Sequence, residues 1–271
     1  MPISRHSVAP TGADLYQPTR SRPVRVRSRS LPVDAHFEPH QHAWAQVAYC
    51  AQGVLQVSVD HPGSSSGQAT YIVPPSRAVW IAPQAVHSVR VLEAAHFRTL
   101  YVDASVTPGE WQGCRVLVVS PLLRELVSAL DAPELARPRD AMLTALVLDE
   151  LRAADTQALG VPLPPADSGD KRLRALCDAV LRAPAERATL AQWAADVGAS
   201  ERTMARLFRE QLGTSYQQWR QQAVLAHALP LLARGLPVSH VAAATGYASD
   251  SAFTAMFKAA MGQPPSQFQG R

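Results

Sequence analysis

The chain has 271 residues, of which 47% are apolar and 18% charged, and this composition supplies a core for each of two domains. No apolar stretch approaches the roughly 20 residues of a membrane span, so no membrane association is expected. Cys50, Cys114 and Cys177 are odd in number and far apart, which indicates no disulfide framework. The N-terminus lacks an apolar secretion signal, so a cytoplasmic location is expected.

Positive charge is concentrated in the C-terminal part of the chain, within a net charge of +4. Residues 1–169 carry 14 Lys and Arg against 15 Asp and Glu, whereas residues 170–271 carry 12 against 7. The C-terminal part is therefore expected to bind an acidic partner such as nucleic acid. Almost all of the basic residues are arginines, whose planar donors suit phosphates and guanine edges.

The N-terminal part has the pattern of a β-domain, predicted over residues 23–115. Residues 1–22 show no periodicity and are predicted to form a flexible tail. The alternation in residues 24–27 favours an edge strand over a nucleic-acid-binding arm. Short β-branched or aromatic runs separated by Gly and Pro then predict a small barrel or sandwich. These runs are residues 46–50, 54–59, 71–73, 78–81, 88–91 and 98–102.

Apolar spacing becomes helical after Pro121. Two amphipathic helices are predicted, over 122–130 and 140–152, within a helical segment that spans 116–158. These helices either cover the β-domain or pair with another subunit, and the pattern does not decide between the two. Residues 159–169 are rich in proline and have the composition of a linker.

Residues 170–271 are predicted to be helical throughout and contain an internal repeat. Thr189 and Gln192 have the spacing of a capping box, and Gly198 ends that helix in a tight turn. The same pattern returns 48 to 49 residues later, which predicts two helix-turn-helix units. The matched pairs are Gly198 and Gly246, Ser200 and Ser249, Met204 and Phe253, Leu207 and Met256, Phe208 and Phe257, and Gly213 and Gly262.

The stretch from Leu190 to Phe268, which ends in FKAAMGQPPSQF, strongly resembles the DNA-binding domain of AraC/XylS-type transcription regulators. The resemblance implies that the second helix of each unit is a recognition helix, and that the two units enter successive major grooves about 34 Å apart. Arg202 and Arg206 match base-contacting positions, and a bidentate arginine–guanine contact contributes about 1–3 kcal/mol of discrimination. The alternative is a solvated arginine face. The other candidate DNA contacts of this unit are Ser200, Thr203, Ala205 and Arg209.

The second unit has different residues at the matching positions, namely Ser251, Thr254 and Ala255. It is therefore predicted to position the protein through phosphate contacts, with Ser249, Ser251 and Thr254 as hydrogen-bond donors. Pro230 lies in the long helix predicted between the units, where it removes a backbone hydrogen bond and is expected to cause a kink.

The segment His40-Gln-His42-Ala-Trp-Ala-Gln46 resembles the first motif of the cupin barrel, and His87 falls where the second motif places its histidine. Residues two apart on a strand share a face, so His40 and His42 are expected to converge. Three imidazoles suit Zn, Ni, Fe or Mn, and a divalent metal is the candidate cofactor. Gln46 replaces the usual glutamate, so a metal-free polar pocket is the alternative. Trp44, Tyr49 and Trp80 are candidate residues of the effector pocket, or plain core.

A cupin-like sensor that precedes a double helix-turn-helix is the common architecture of the AraC/XylS family. The expected fold class is α+β multidomain, with an N-terminal cupin-like barrel plus helices and a C-terminal all-α double helix-turn-helix. The resemblance implies a bacterial transcription regulator, not an enzyme, that binds double-stranded DNA and a small-molecule effector. A homodimer and a contact with RNA polymerase are further expected partners. Residues 80–91 look like the subgroup that controls efflux or metabolic genes.

The alternative function is a cupin metalloenzyme, such as a dioxygenase or isomerase, with an accessory helical domain. Such an enzyme requires a loaded metal and a general acid or base. The motif offers Gln46 where a carboxylate would help, and the sequence suggests no convincing catalytic pair nearby. The regulator is therefore the preferred hypothesis.

Overall fold

The computed structural model describes residues 7–8, 16–60, 68–109, 111, 113–157, 160–165, 168–186 and 189–269. The chain divides into two compact units, one formed by Met1–Val59 with Tyr71–Ala158 and the other by Asp60–Thr70 with Leu159–Arg271. Most of the predicted tail, residues 1–6 and 9–15, lies outside the described residues. In the described part of the chain, no helix has the length and apolar character needed to span a bilayer.

The first unit is built on two antiparallel sheets. One has the order β1-β8-β3-β6-β9-β10, and the other runs β5-β4-β7-β2 within this unit. All six predicted runs are strands, and the edge strand predicted at residues 24–27 is part of β1. The strands are β1 (Val24–Leu31), β2 (His36–His40), β3 (Ala45–Cys50), β4 (Val54–Asp60), β5 (Gln68–Val73), β6 (Arg77–Ile81), β7 (His87–Glu93), β8 (Ala95–Val102), β9 (Cys114–Val118) and β10 (Thr156–Gln157).

Two helices pack on one face of the six-stranded sheet, α1 (Pro121–Leu130) and α2 (Arg137–Ala153). Ser120 caps α1 by accepting the backbone N–H of Leu123, and the proline at the first helical position needs no such partner. The sheet contributes alternate residues to this core, because successive side chains of a strand point to opposite faces. Val24, Val47, Trp80 and Leu100 lie on the helix-facing side.

The second unit is helical. Its elements are strand β11 (Gly160–Leu163) and helices α3 (Lys171–Arg182), α4 (Leu190–Asp196), α5 (Glu201–Leu212), α6 (Tyr216–Ala233), α7 (Val238–Ala244) and α8 (Asp250–Met261), followed by a 3₁₀ turn at Pro265–Phe268. The stretch predicted as a linker therefore contains a strand, and Val161 and Leu163 are buried in the core of this unit. Trp219 Nε1 donates to the Pro162 carbonyl at 2.7 Å. These buried side chains and this hydrogen bond explain why Gly160–Leu163 forms a strand despite Pro162.

The internal repeat is present as two helix-turn-helix units, α4–α5 and α7–α8. The turn glycines Gly198 and Gly246 have φ of +69° and +79°. Gly213 and Gly262 end α5 and α8 in the left-handed conformation, which glycine adopts without strain. Helix α6, which joins the units, continues through Pro230 to Ala233.

Candidate functional sites

Helix α5 presents three exposed arginines on one face. Arg202, Arg206 and Arg209 are exposed at positions i, i+4 and i+7, while Met204 and Phe208 are fully buried on the opposite face. Because the buried side chains hold the helix against the core, its arginine face is turned to solvent. The structure therefore brings the sequence-predicted arginines together on one accessible surface.

Local hydrogen bonds fix where α5 begins. The Thr189–Gln192 capping box is present, with both reciprocal bonds formed. Ser200 accepts the backbone N–H of Thr203 at 3.2 Å and so caps α5. Thr203 and Ala205 are partly exposed beside the arginines. This arrangement gives the helix a defined orientation relative to α4.

One partner of the arginine face was not predicted from the sequence. The Arg206 guanidinium forms an ion pair with the Glu210 carboxylate one turn further along α5, and both side chains are more than half exposed. The i, i+4 spacing of Arg206 and Glu210 was a signal that the sequence contained. This carboxylate occupies part of the hydrogen-bonding capacity of the Arg206 guanidinium.

Helix α8 has the same framework and a different surface. Ser249 caps it by accepting the backbone N–H of Ala252 at 3.2 Å. Ser251 and Ala255 are exposed and Thr254 is partly exposed, at the positions that match Arg202, Arg206 and Ala205. The one basic side chain of α8 is Lys258, in its last turn. Positive charge is thus far weaker on this face than on α5.

Three histidines converge in the first unit. One ligand atom from each of His40, His42 and His87 lies within 4.8 Å of the others. His40 is the last residue of β2 and pairs with His87 of β7, whereas His42 lies in the loop before β3. The expectation that His40 and His42 share one strand is therefore wrong. The loop that connects β2 to β3, rather than strand alternation, brings them together.

Each of the three imidazoles donates its Nδ1–H to a nearby backbone carbonyl. The acceptors are Glu38 O for His40, Trp44 O for His42 and Ala85 O for His87, at 2.8, 2.8 and 2.9 Å. In a neutral ring this tautomer leaves a lone pair on Nε2. Burial lowers the pKa of His42 and lowers that of His87 to about 3, so both rings are neutral near pH 7.

Gln46 lies at the centre of this arrangement. Its Oε1 is 2.8 Å from His42 Nε2 and 3.2 Å from His87 Nε2. An amide oxygen and two neutral Nε2 atoms are all acceptors, so they repel unless something lies between or beside them. Either a cation binds to all three, or the side-chain amide is turned so that its NH₂ donates to both rings. In either arrangement, the Gln46 side chain and the Nε2 atoms of His42 and His87 have suitable bonding partners.

The candidate pocket aromatics separate into two groups. Trp44 stacks on His42 with ring centroids 5.1 Å apart, and Tyr101, which the sequence did not suggest, contacts both rings edge-on. Tyr49 and Trp80 lie instead in the core against α1 and α2. The structure does not bring them to the histidines, because they point to the face of the sheet opposite Gln46: Val47, next to Gln46, pairs with Trp80.

Comparison with known families accounts for both units. Residues 24–159 match the model of the AraC-like ligand binding domain, and residues 193–271 match that of a helix-turn-helix domain. The HTH-type transcriptional regulator NimR of Escherichia coli is 34% identical over 235 residues, which cover 86% of this chain and 82% of NimR. The chain is a member of the AraC family of transcription regulators.

One further curated protein and one solved structure are similar to this chain at lower coverage or identity. The HTH-type transcriptional regulator RipA of Corynebacterium glutamicum is 33% identical over 108 residues, 40% of this chain and 32% of RipA. Among solved structures, ToxT of Vibrio cholerae covers 91% of this chain and 94% of its own, at 13% identity and a TM-score of 0.38.

The matches assign the two geometric sites to two functional domains of the regulator. The histidine cluster lies within the ligand-binding domain, and α5 and α8 lie within the matched helix-turn-helix region. The regulator thus combines effector binding with DNA binding, as the sequence predicted. The fold class, with its β-rich first domain and helical second domain, is also confirmed.

Proposed function

We propose that this regulator recognises its operator mainly through Arg202 and Arg206 and senses its effector at the histidine cluster. The observation that carries the first part is the arginine face of α5, exposed on a helix whose opposite face is fully buried. Two bidentate contacts to guanine would give most of the specificity of one half-site. Ser200, Thr203, Ala205 and Arg209 frame these contacts.

The second unit contributes position, with Ser249, Ser251 and Thr254 donating to phosphates. Hydroxyl–phosphate bonds fix the register of a protein on DNA without reporting its sequence. Selection of binding sites from a random duplex library by the full chain tests the proposal. A selected site that contains guanines one helical turn from a second contacted segment supports it, whereas binding without any sequence preference contradicts it.

A divalent metal fits the histidine cluster. His40, His42 and His87 would hold the ion together with Gln46 Oε1, since their donor atoms already converge and the backbone carbonyls already orient the rings. The ion would supply a positive centre for a coordinating effector. This ligand set contains no carboxylate, so the charge of the ion would be left for an anionic or chelating effector to balance.

Elemental analysis of protein purified without an affinity tag tests the metal. His96 is an exposed histidine outside the cluster, so His96→Ala serves as the control. The metal site is supported if the wild type and His96→Ala contain about one equivalent of a divalent ion and His42→Ala does not. Absence of metal from all three proteins contradicts it. In that case the turned amide of Gln46 satisfies the rings and the effector is bound without metal.

Helix α2 supports the proposal of a homodimer. Arg139, Met142, Leu146 and Asp149 follow one another at spacings of three and four on the exposed side of α2, with Met142 62% and Leu146 49% exposed. The stripe is self-complementary about Thr144. In an antiparallel pair of α2 helices, Met142 of one copy meets Leu146 of the other, and Arg139 meets Asp149.

Sedimentation of charge variants tests this pairing. Arg139→Asp should convert dimer to monomer, because it places two carboxylates together at each end of the pair, and Arg139→Asp combined with Asp149→Arg should restore the dimer. A monomeric wild type, or a dimer that the single variant leaves intact, contradicts the pairing. A dimer would double the DNA contacts without any further contribution from the arginine-poor second unit.

We further propose that the protein is not an enzyme and that it regulates an efflux or metabolic gene, with RNA polymerase as a partner at the promoter. The cluster contains no carboxylate, and burial lowers the pKa of His42 and of His87, so neither of these imidazoles can serve as a protonated general acid near pH 7. The competing metalloenzyme hypothesis would be favoured if the metal-loaded protein turned over a small substrate at a rate that His42→Ala abolished.

A further inference from the structure

Helix α8 presents small apolar groups where α5 presents arginines. Its exposed residues include Ala252 and Ala255, and Thr254 between them is partly exposed, while Phe253 and Phe257 are fully buried. The methyl groups of the two alanines and of Thr254 therefore lie on the outer surface of the helix. No hydrogen-bond donor longer than serine or threonine occupies the positions that match Arg202, Ala205 and Arg206.

We infer that the second unit adds sequence specificity to its positioning role, by packing Ala255 and the γ-methyl group of Thr254 against the 5-methyl groups of thymine, while the Thr254 hydroxyl donates to a phosphate. The inference deepens the proposed function and rests on it, because it assumes that α8 enters a major groove. The thymine methyl is the one apolar group on the edge of a base pair in that groove, and alanine and the threonine methyl are the side-chain groups that contact it.

The size of the side chains supports this mode of recognition. Alanine and serine have short side chains, which take up little space between the helix backbone and the bases. Helix α8 can therefore approach the groove floor more closely than α5 can. Burial of a methyl group away from water then favours thymine over cytosine without any hydrogen bond. Phosphate contacts from Ser249 and Lys258 would be compatible with that approach, since these residues lie at the two ends of the helix.

The expected operator is therefore composite, with guanines under the first unit and thymines under the second, about one helical turn away. Each methyl contact is worth about a fourfold change in affinity, from the transfer free energy of one methylene-sized group. Such a preference is weaker than that of an arginine–guanine pair, so it would appear as a bias in selected sites rather than as an invariant base.

Replacement of thymidine by deoxyuridine tests the inference, because it removes the methyl group and leaves base pairing intact. The experiment uses the duplex that the full chain selects from the random library. The half of this duplex at which Arg206→Ala loses the preference for guanine is the half bound by the first unit. Deoxyuridine in the other half should weaken binding by the wild type about fourfold for each contacted methyl. The penalty should fall by about fourfold in Ala255→Gly, which keeps only the contact made by Thr254.

Ala259→Gly is the matched control. It loses the same helix propensity in the same helix, at an exposed position one turn C-terminal to Ala255 and beyond the proposed thymine-contacting residues, and should keep the full deoxyuridine penalty. Equal binding of thymidine and deoxyuridine duplexes by the wild type overturns the inference, as does a penalty that Ala255→Gly leaves unchanged. Either result leaves the arginine-based proposal standing, whereas failure to select any site overturns both.

Discussion

The two helix-turn-helix units of this regulator share a backbone and differ in the surface that they present. Both units turn at a glycine of positive φ, both recognition helices begin at a serine cap, and both end at a left-handed glycine. On that common framework, α5 exposes three arginines and α8 exposes serine, alanine and one lysine. The turn glycines, serine caps and buried residues that fix the fold are thus shared by the two units, whereas the outward-facing residues of the two helices differ.

This separation has a physical cause. Caps, turn glycines and buried aromatic residues act on the chain itself, so a change there alters the position of the whole recognition helix. Exposed side chains on the outer face of the helix contribute little to stability and can vary with small cost. The comparison therefore yields matched pairs of variants, one in each unit, in which framework and surface effects can be told apart.

The largest expected difference lies at the turn glycines. A Cβ at Gly246 would lie 2.3 Å from the carbonyl oxygen of Ala185, whereas a Cβ at Gly198 would meet no atom within 4 Å. Gly198→Ala should cost roughly 1–2 kcal/mol, from the left-handed backbone alone. Gly246→Ala should cost about 2 kcal/mol more, because the neighbouring backbone must also move.

Urea unfolding of the two glycine variants, followed by the helical signal of the second unit, measures this difference. The turns would be shown to be equivalent if Gly198→Ala and Gly246→Ala lost the same stability. That result would mean that the backbone around Ala185 moves aside without a cost in the free energy of unfolding. The two turns would then not differ in their tolerance of a Cβ.

The next effect is on base recognition. Arg206→Ala should weaken binding to the selected site by about 1–3 kcal/mol and abolish the preference at one base pair, because one bidentate contact is lost. Lys258→Ala, in the second unit, should weaken binding to all sequences alike and reduce the salt dependence by about one phosphate contact. Affinity for the selected site and for random DNA, each measured at several salt concentrations, separates the two. An equal loss on both DNAs in Arg206→Ala would assign that arginine to the phosphates.

The serine caps should show equal effects on stability in the two units. Ser200→Ala and Ser249→Ala each remove one cap hydrogen bond and should each cost about 1 kcal/mol. Ser249→Asp retains a cap acceptor but adds a negative charge where a phosphate contact is proposed. It should therefore restore thermal stability while weakening binding to every DNA sequence, and unimpaired binding would argue against a phosphate beside Ser249.

Much of this fold was predictable because its signals are periodic. Short β-branched or aromatic runs separated by Gly and Pro gave six strands of the first unit, and the helical spacing of apolar residues gave α1 and α2. Strand β2 was not predicted, because His36–His40 contains three polar residues and a proline and so shows no alternation. Strand β11 was assigned to a linker for a similar reason, since its proline content conceals the two residues that it buries.

The sites were predictable in part, for a different reason. The histidines and arginines were identified from motif spacing, which survives even where the local structure differs, as it does at His42. The pairing register of β3 and β6 decides on which face of the sheet each aromatic side chain lies. A shift of one residue in the register moves the side chain to the other face. Tyr49 and Trp80 lie in the core, which was the alternative for them, and Tyr101 on β8 was missed.

The smallest predicted effect concerns the ion pair within the arginine face. Glu210 holds Arg206 in the free protein, and an exposed pair at i, i+4 is worth about 0.3–0.5 kcal/mol. Glu210→Gln should therefore strengthen binding to the selected site by about twofold, because the guanidinium no longer has to leave a carboxylate. If the ion pair is the cause, the gain in affinity should be absent in an Arg206→Ala background. A double-mutant cycle measured by equilibrium binding tests this.

A gain that persists without Arg206 would instead show that the removal of a negative charge near the phosphates is the cause. Since Ala259 occupies the equivalent position of α8, that unit has no such carboxylate to release, and the two recognition helices would then differ in how binding is restrained as well as in what they bind.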